Sequence, residues 1–407
     1  MTDQSATGHT AQSETAAKRN VFLLALCMAL GNSANTLQVT LGGLVGHVLV
    51  EDKAYATLPV TFVVAGTALA TIPASMLMNR VGRKPGFVLG CLLAATGSAI
   101  AGIGLYAGLF WLFCLGAFVF GASNSFTQLY RFAAADIAPQ HFKSRAISWV
   151  MVGGLCSAFL GPEIAKYTRE ALSPHLFLGS YIVAALLPLL VLGVLLFLRL
   201  PKPNVAELRD SGRPLAEIVR QPSFVVAAMA GMFGYGVMNL MMTATPLAMQ
   251  ICAHPFSDAA TVIQWHVFGM FFPSFFTGNL IARYGALRII IIGTGLNIVC
   301  MSIALSGQDV WQFQAALALL GVGWNFMYIG GTALLTEVYR PAERFKTQAL
   351  NDFLVFGTVA LASLGSGKLL YHYGWNSVSL ASLPFILMAG LAAIWLILVR
   401  RRAFGPA

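Results

Sequence analysis

Charge is what this sequence has least of. Asp, Glu, Lys and Arg make up 10% of its 407 residues, while 57% are hydrophobic, and the mean hydropathy is +0.75. A soluble domain carries about 25% charge. A chain this poor in charge cannot cover its surface against water, so its outer solvent is lipid. The formal net charge of +10 therefore reads as a topology signal, because basic residues collect in the loops on one side of a membrane. It does not read as a nucleic-acid footprint, which needs a clustered basic face.

Other absences narrow the chemistry. None of the six cysteines (Cys27, Cys91, Cys114, Cys156, Cys252, Cys300) forms a CxxC pair, and five lie in apolar runs, which favours small buried residues over metal ligands or disulfides. HExxH, GxSxG and P-loop motifs are missing, so no enzyme, metal or cofactor is expected, and energy must come from a gradient. Residues 1–17 are Ser/Thr/Gln/Ala-rich and read as a disordered tail. No cleavable signal follows them, because the apolar run after Lys18-Arg19 is too long for one.

What the chain does have is long apolar runs. A spanning helix needs about 20 apolar residues, and twelve runs qualify: roughly 21–48, 55–78, 86–107, 109–135, 146–166, 177–199, 223–250, 260–282, 286–306, 311–337, 348–371 and 377–399. With both termini on the cytoplasmic side, twenty basic residues fall in cytoplasmic segments. Only Lys53, Lys166, Arg169 and Lys368 fall outside, and Arg131 lies within a helix. A wrong helix count would mix the two sides downstream. The longest polar connection, 200–222, carries both signs of charge plus Pro201, Pro203 and Pro214. It reads as a cytoplasmic linker, with a short amphipathic helix near Leu215–Val219. The expected organisation is a tail (1–17), a six-helix bundle (18–199), the linker (200–222), a second six-helix bundle (223–399) and a tail (400–407).

The halves repeat. Leu77, Arg80 and Gly82 recur as Leu280, Arg283 and Gly285 at an offset of 203, as does Phe142-Lys143 in Phe345-Lys346. Asn124 and Asp136 recur as Asn325 and Glu337 at 201. Two parallel repeats suggest two bundles around a path, as in many secondary transporters. Polar residues within membrane helices usually face the bundle interior or a water-filled cavity, and helical spacing groups them into stripes. The first run carries Asn32, Asn35 and Thr36. The fourth carries Asn124, Gln128 and Arg131, the seventh Tyr235 and Asn239, and the tenth Trp324, Asn325 and Tyr328. With Trp265 these are the candidate substrate-binding residues. Aromatics beside amides favour a neutral or weakly charged amphipathic organic ligand over an ion. Arg131 reads either as an anchor for an anionic or carbonyl-bearing substrate or as a salt-bridge partner of Asp136 or Asp352. His266 reads as a proton carrier or a packing histidine, and Asp352 as a proton site or a gate.

The loop after the second run stands as Ser75-Met76-Leu77-Met78-Asn79-Arg80-Val81-Gly82-Arg83-Lys84. Its Arg-x-Gly-Arg-Lys core resembles the G-x-L-x-D-R-x-G-R-K signature of the major facilitator superfamily, with Ser75 and Asn79 at the first glycine and the acidic position. The resemblance implies an all-α membrane protein of twelve transmembrane helices in two pseudo-symmetric six-helix bundles. Arg83 at the membrane boundary wants an acidic partner, and Asp136 is the candidate. Arg80, Gly82, Arg83, Asp136, His266, Glu337 and Asp352 form the candidate gating or coupling set. Gly153-Gly154 and Gly161-Pro162 are similar to the antiporters' Gly-Pro element, but read first as close packing.

The expected function is a secondary active transporter moving a small amphipathic molecule by alternating access, with protons as a candidate coupling ion. Drug/proton efflux antiport, a gradient-driven uniporter and a carrier-like sensor are the alternatives. The expected setting is a monomer in a bacterial inner membrane.

Overall fold

The computed structural model describes residues 3–51, 55, 58–200 and 212–404, apart from the side chains of some helical residues. Lys53 and most of the expected linker lie outside them. The described residues contain helices and no strand. Helices satisfy their backbone groups internally, which suits a lipid-immersed chain. Among the described residues, eleven helical stretches are long and apolar enough to cross a membrane.

By contact density the chain divides into two compact units, Met1–Leu208 and Arg209–Ala407, with the boundary inside the 200–222 connection. The first holds α1 (Asp3–Leu49), α2 (Leu58–Val81), α3 (Arg83–Tyr106), α4 (Phe110–Gln128), α5 (Tyr130–Ile137), α6 (Lys143–Thr168) and α7 (Leu178–Phe197). The second holds α8 (Leu215–Val219), α9 (Pro222–Ile251), α10 (Phe256–Phe271), α11 (Ser274–Tyr284), α12 (Ala286–Ser306), α13 (Val310–Leu335) and α14 (Arg344–Phe404). The short helix expected near Leu215–Val219 is present. Helix α14 joins most of one span, Pro341–Gly367, to a second, His372–Arg402, and Gly374, whose positive φ of 79° interrupts the helix, lies near the start of the second.

Three elements differ from the sequence reading. Helix α1 runs back to Asp3, through residues expected to form a disordered tail. Extending an existing helix is cheap compared with nucleating one, and Ala- and Gln-rich residues permit it. The eighth apolar run is two helices, α10 and α11, because Pro273 has no N–H to donate to the preceding turn. Neither piece reaches span length alone. The fourth run is tightened at Leu129, whose N–H turns to Phe126 O at 3.0 Å, separating α4 from α5.

Glycine sets how closely the helices approach. A Cβ on Gly121 would overlap the Val63 carbonyl and one on Gly66 the Phe118 carbonyl, so α2 and α4 cross in reciprocal backbone contact. Thr67 Oγ1 donates across that crossing to Gly121 O at 2.9 Å. Gly153 of α6 lies against the Ala25 carbonyl of α1, and Gly161 against Thr36, which matches the close-packing reading of that stretch. The core of unit 1 fills with residues such as Leu37, Val45, Phe113 and Tyr181. Large apolar side chains such as Leu196 (76% exposed) and Leu361 (72%) point outward, as lipid-facing residues must.

Both ends of the 200–222 connection are clasped, each by its own unit. Asn20 Nδ2 donates to Arg199 O at 2.7 Å, and Lys84 Nζ to Leu198 O at 3.0 Å. In unit 2 the Arg213 guanidinium grips Glu343 at 2.6 and 2.8 Å, and the Arg213 N–H adds a third bond at 2.8 Å. Hydrogen bonding to Glu343 raises the already high pKa of Arg213, so its cation persists at any physiological pH.

Candidate functional site

The glycines of the repeated loop have one conformation. Gly82 (φ 92°, ψ 166°) separates α2 from α3, and Gly285 (φ 84°, ψ 153°) separates α11 from α12. A side chain disfavours that backbone region and glycine does not, so the turn takes one residue in each half. In unit 1, Gly82 presents Arg83 at the start of α3. Its Nη2 meets Asp136 Oδ2 at 2.7 Å and its Nε the same oxygen at 3.2 Å. The side chains are only 6% and 13% exposed, so little water screens the pair. Arg80 is exposed beside it. In unit 2, Glu337 meets Arg400 at 3.2 Å in a more open setting.

The polar stripe of unit 1 is half-buried. Asn32, Asn35 and Thr36 sit on α1 and Asn124 on α4. Asn124 Nδ2 reaches Thr67 Oγ1 at 3.4 Å, and Asn35 Oδ1 is buried without a hydrogen-bond partner among the described residues. The enclosed void beside Asn124 and Gly31 measures about 20 Å³, far below the several hundred an organic ligand needs. Gln128 and Arg131 behave differently. Arg131 is 0% exposed and donates to Gln128 O at 3.0 Å and Gln128 Oε1 at 3.2 Å. The sequence leaves Arg131 open between a substrate anchor and a salt-bridge partner of Asp136 or Asp352. In the structure its guanidinium is buried beside the break at Leu129, where a helix end leaves carbonyls without intrahelical donors, and Gln128 O is one that it satisfies.

In unit 2, aromatic residues from four helices meet around Tyr235 of α9. Its ring lies edge-on to Trp324 and Tyr328 of α13 at 5.3 and 5.2 Å, and to Phe356 of α14 at 5.7 Å. Trp324 stacks on Tyr328 at 5.0 Å, and Phe271 of α10 closes the group at 5.8 Å from Trp324. Tyr235 is half-buried, whereas Trp324 and Tyr328 are buried. The Trp324 indole N–H has no hydrogen-bond partner among the described residues. One turn on, Asn239 is half-buried and reaches Val359 O at 3.4 Å. Phe271 and Phe356 went unnoticed in the sequence, since one aromatic in an apolar helix carries no periodic signal.

Two expected binding residues are placed elsewhere. Asn325 is 0% exposed, and every polar atom of its amide is engaged. Nδ2 donates to Met270 O at 2.6 Å and Ser274 Oγ at 2.7 Å, and Oδ1 accepts from Thr277 Oγ1 at 2.7 Å. These partners flank Pro273, so Asn325 braces the break between α10 and α11. Trp265 is 49% exposed and packs on Phe268, away from the Tyr235 group. Its neighbour His266 points about 100° away around α10 and is 0% exposed, with Nδ1 bonded to Leu317 O at 2.7 Å. Asp352 is buried and accepts from Asn351 at 3.0 Å.

A family model described as Major Facilitator Superfamily matches residues 21–272 and 250–406. The chain belongs to that superfamily. It is 46% identical over 376 residues to "Riboflavin transporter RfnT" of Brucella anthropi, covering 91% of this chain and 94% of that protein. It is 28% identical to the MFS-type transporter YdeG of Bacillus subtilis over 93% and 92% of the two chains. Among solved structures, the E. coli fucose:proton symporter FucP superposes with a TM-score of 0.71 at 15% identity, covering 92% and 98%. The proton:xylose symporter XylE gives 0.74 at 15%, covering 94% and 96%. At that identity the two structures speak for the fold alone. The chain is a multi-pass helical membrane transporter for a small molecule, and not an enzyme.

Proposed function

We propose that this transporter carries riboflavin, or a closely related flavin, across a bacterial inner membrane. The observation that carries the reading is the 46% identity to RfnT across almost the full length of both proteins. The Tyr235 group supports it chemically. An isoalloxazine is a flat, neutral heteroaromatic ring system, and half-buried Tyr235, held by Trp324, Tyr328 and Phe356, offers a surface for stacking. Asn239 would supply a polar contact beside it. In unit 1, the half-buried amides of Asn32, Asn35 and Asn124 with Thr36 are candidate polar contacts for a carbonyl- or hydroxyl-bearing substrate. Asn325, Arg131 and Gln128 are assigned to bracing helix breaks, and Trp265 to the lipid-facing surface.

The transporter works by alternating access, as a monomer with twelve spans in two groups of six and both termini cytoplasmic. Helices α10 and α11 together make the eighth span. Arg83 and Asp136, presented by Gly82 beside Arg80, form a latch that closes in one state and opens in the other, and Glu337 with Arg400 occupies the related position in the second repeat. If the driving ion is the proton, Asp352 is the first group to replace, because His266 is held by a backbone carbonyl.

The test is counterflow. Proteoliposomes loaded with unlabelled riboflavin should accumulate labelled riboflavin transiently, and unlabelled fucose or xylose should not compete. Tyr235→Leu should weaken riboflavin about tenfold, the upper end of what an aromatic pair contributes. Folded protein that shows no riboflavin counterflow would sink the substrate assignment. Repeating the assay with an imposed pH gradient reads out coupling: acceleration assigns a proton, and an unchanged rate assigns facilitated diffusion.

A further inference from the structure

The two copies of the repeated loop differ at one position with a structural consequence. In unit 1 the residue after the glycine is Arg83, whose side chain fills the space up to Asp136. At the same offset in unit 2 the residue is Ala286, followed by Leu287 where unit 1 has Lys84. Glu337, the counterpart of Asp136, is left to Arg400 from the end of α14, which Ser223 also holds at 3.0 Å. Where unit 1 has an internal ion pair, unit 2 has an open cleft of about 470 Å³.

The cleft is basic. Arg288, Arg400 and Arg401 line it against one carboxylate, Glu337. Arg288 and Arg401 are exposed, and neither is ion-paired among the described residues. Gly285, Ala286, Leu287 and Arg288, the first turn of α12, also line it, and no side chain caps that helix start. Unsatisfied N–H groups and the helix dipole favour an anion there. The walls then turn apolar. Ile397 lines the cleft. Ile292, one turn after Arg288, and Leu398, one turn before Arg401, are 50% and 49% exposed. Tyr284 stands at the rim, a position typical of aromatics at a membrane interface.

We propose that this cleft is a binding site for the headgroup of an anionic phospholipid. The phosphate sits between Arg288, Arg401 and the start of α12, and the acyl chains descend along Ile292, Ile397 and Leu398. The apolar wall is what favours a lipid over a free phosphate, which would gain nothing from it. Basic pockets between membrane helices on the cytoplasmic side are suited to such headgroups. The lipid would fill in unit 2 the role that Arg83 fills in unit 1, tying together the ends of α11, α12 and α14.

Native mass spectrometry of the full chain in detergent tests this, with added phosphatidylglycerol or cardiolipin, phosphatidylcholine as the neutral arm and inorganic phosphate as the competitor. The anionic lipids should bind in preference to phosphatidylcholine, and phosphate should not displace them. Arg288→Gln with Arg401→Gln should weaken anionic-lipid binding roughly thirtyfold, the effect of two interfacial charges. Ala286→Arg, which restores the side chain of the first repeat, should also displace the lipid, and its folding does not depend on the arginines removed in the other variant. The proposal is overturned if anionic and neutral lipids bind alike, if both variants retain wild-type lipid binding, or if phosphate occupies the cleft in place of lipid. Riboflavin counterflow is a separate readout, so failure here leaves the substrate assignment standing.

Discussion

Replacing Asn325 with Ala should destabilise unit 2 without weakening riboflavin binding in the protein that remains folded. The magnitude follows from what each partner does afterwards. Thr277 Oγ1 also lies 2.8 Å from Pro273 O, so its hydroxyl has another acceptor and loses little. Met270 O and Ser274 Oγ each lose a bond to Asn325 in a fully buried setting. Hydrogen bonds between membrane helices average about 0.6 kcal/mol, because the unfolded chain in the membrane also finds partners. A buried group left unsatisfied costs about 1–3 kcal/mol. Three bonds at the lower rate come to about 2 kcal/mol, and leaving Met270 O unsatisfied costs at most about 3 kcal/mol, which brackets the loss at about 2–3 kcal/mol. For a unit of this size that corresponds to roughly 4–12 °C in the unfolding midpoint. Asn325→Asp should be no better, since it turns a carboxylate oxygen toward the Met270 carbonyl. The assay is thermal unfolding of purified protein in detergent, paired with riboflavin affinity at a temperature where each variant is folded. A variant with wild-type stability and lost affinity would refute the brace and return Asn325 to the ligand.

Trp265→Ala should leave riboflavin affinity unchanged, because the ring is half-exposed and outside the Tyr235 group; a tenfold loss in equilibrium binding would contradict that placement. Gly121→Ala should cost about 1–3 kcal/mol through overpacking, since its Cβ meets the Val63 carbonyl, whereas Gly295→Ala, with nothing near the added methyl, should be neutral; yields of folded protein after mild heating compare the two. Asp136→Asn should cost about 3–5 kcal/mol, the range for breaking a buried pair by removing one partner, and the exchange of Arg83→Asp with Asp136→Arg should recover part of it. Recovery of stability without recovery of transport would show that the pair's orientation matters to the cycle; no loss in the single variant would show that it is not a buried ion pair at all.

How much of this was readable in the sequence depends on whether a residue's task is set by local geometry. Gly82 and Gly285 announced themselves because a one-residue turn between helices demands a backbone that only glycine adopts readily. Asp136 could be named as the partner of Arg83 because a membrane-boundary cation needs an anion, and few acids were within reach. The polar stripes were harder. Spacing places Asn325 and Tyr328 on one face of α13, yet that face meets both the aromatic group and the broken helix. The sequence does not say which residue meets which. Pro273 was the available clue: a proline within an apolar run removes a donor, so some polar side chain nearby has to repair the break. Trp265 and His266 show the converse. Adjacent residues on a helix point about 100° apart, and in a run apolar on all sides no periodicity tells which faces the bundle. The clasp of Arg213 on Glu343 joins residues 130 apart in sequence, and nothing local marks either. In a chain whose helices are hydrophobic all round, the informative residues are those that repair an interruption. Asn325 at Pro273, Arg131 at Leu129 and Arg83 at Gly82 are each fixed by a break in the backbone, and each is better understood from that break than from the stripe it shares.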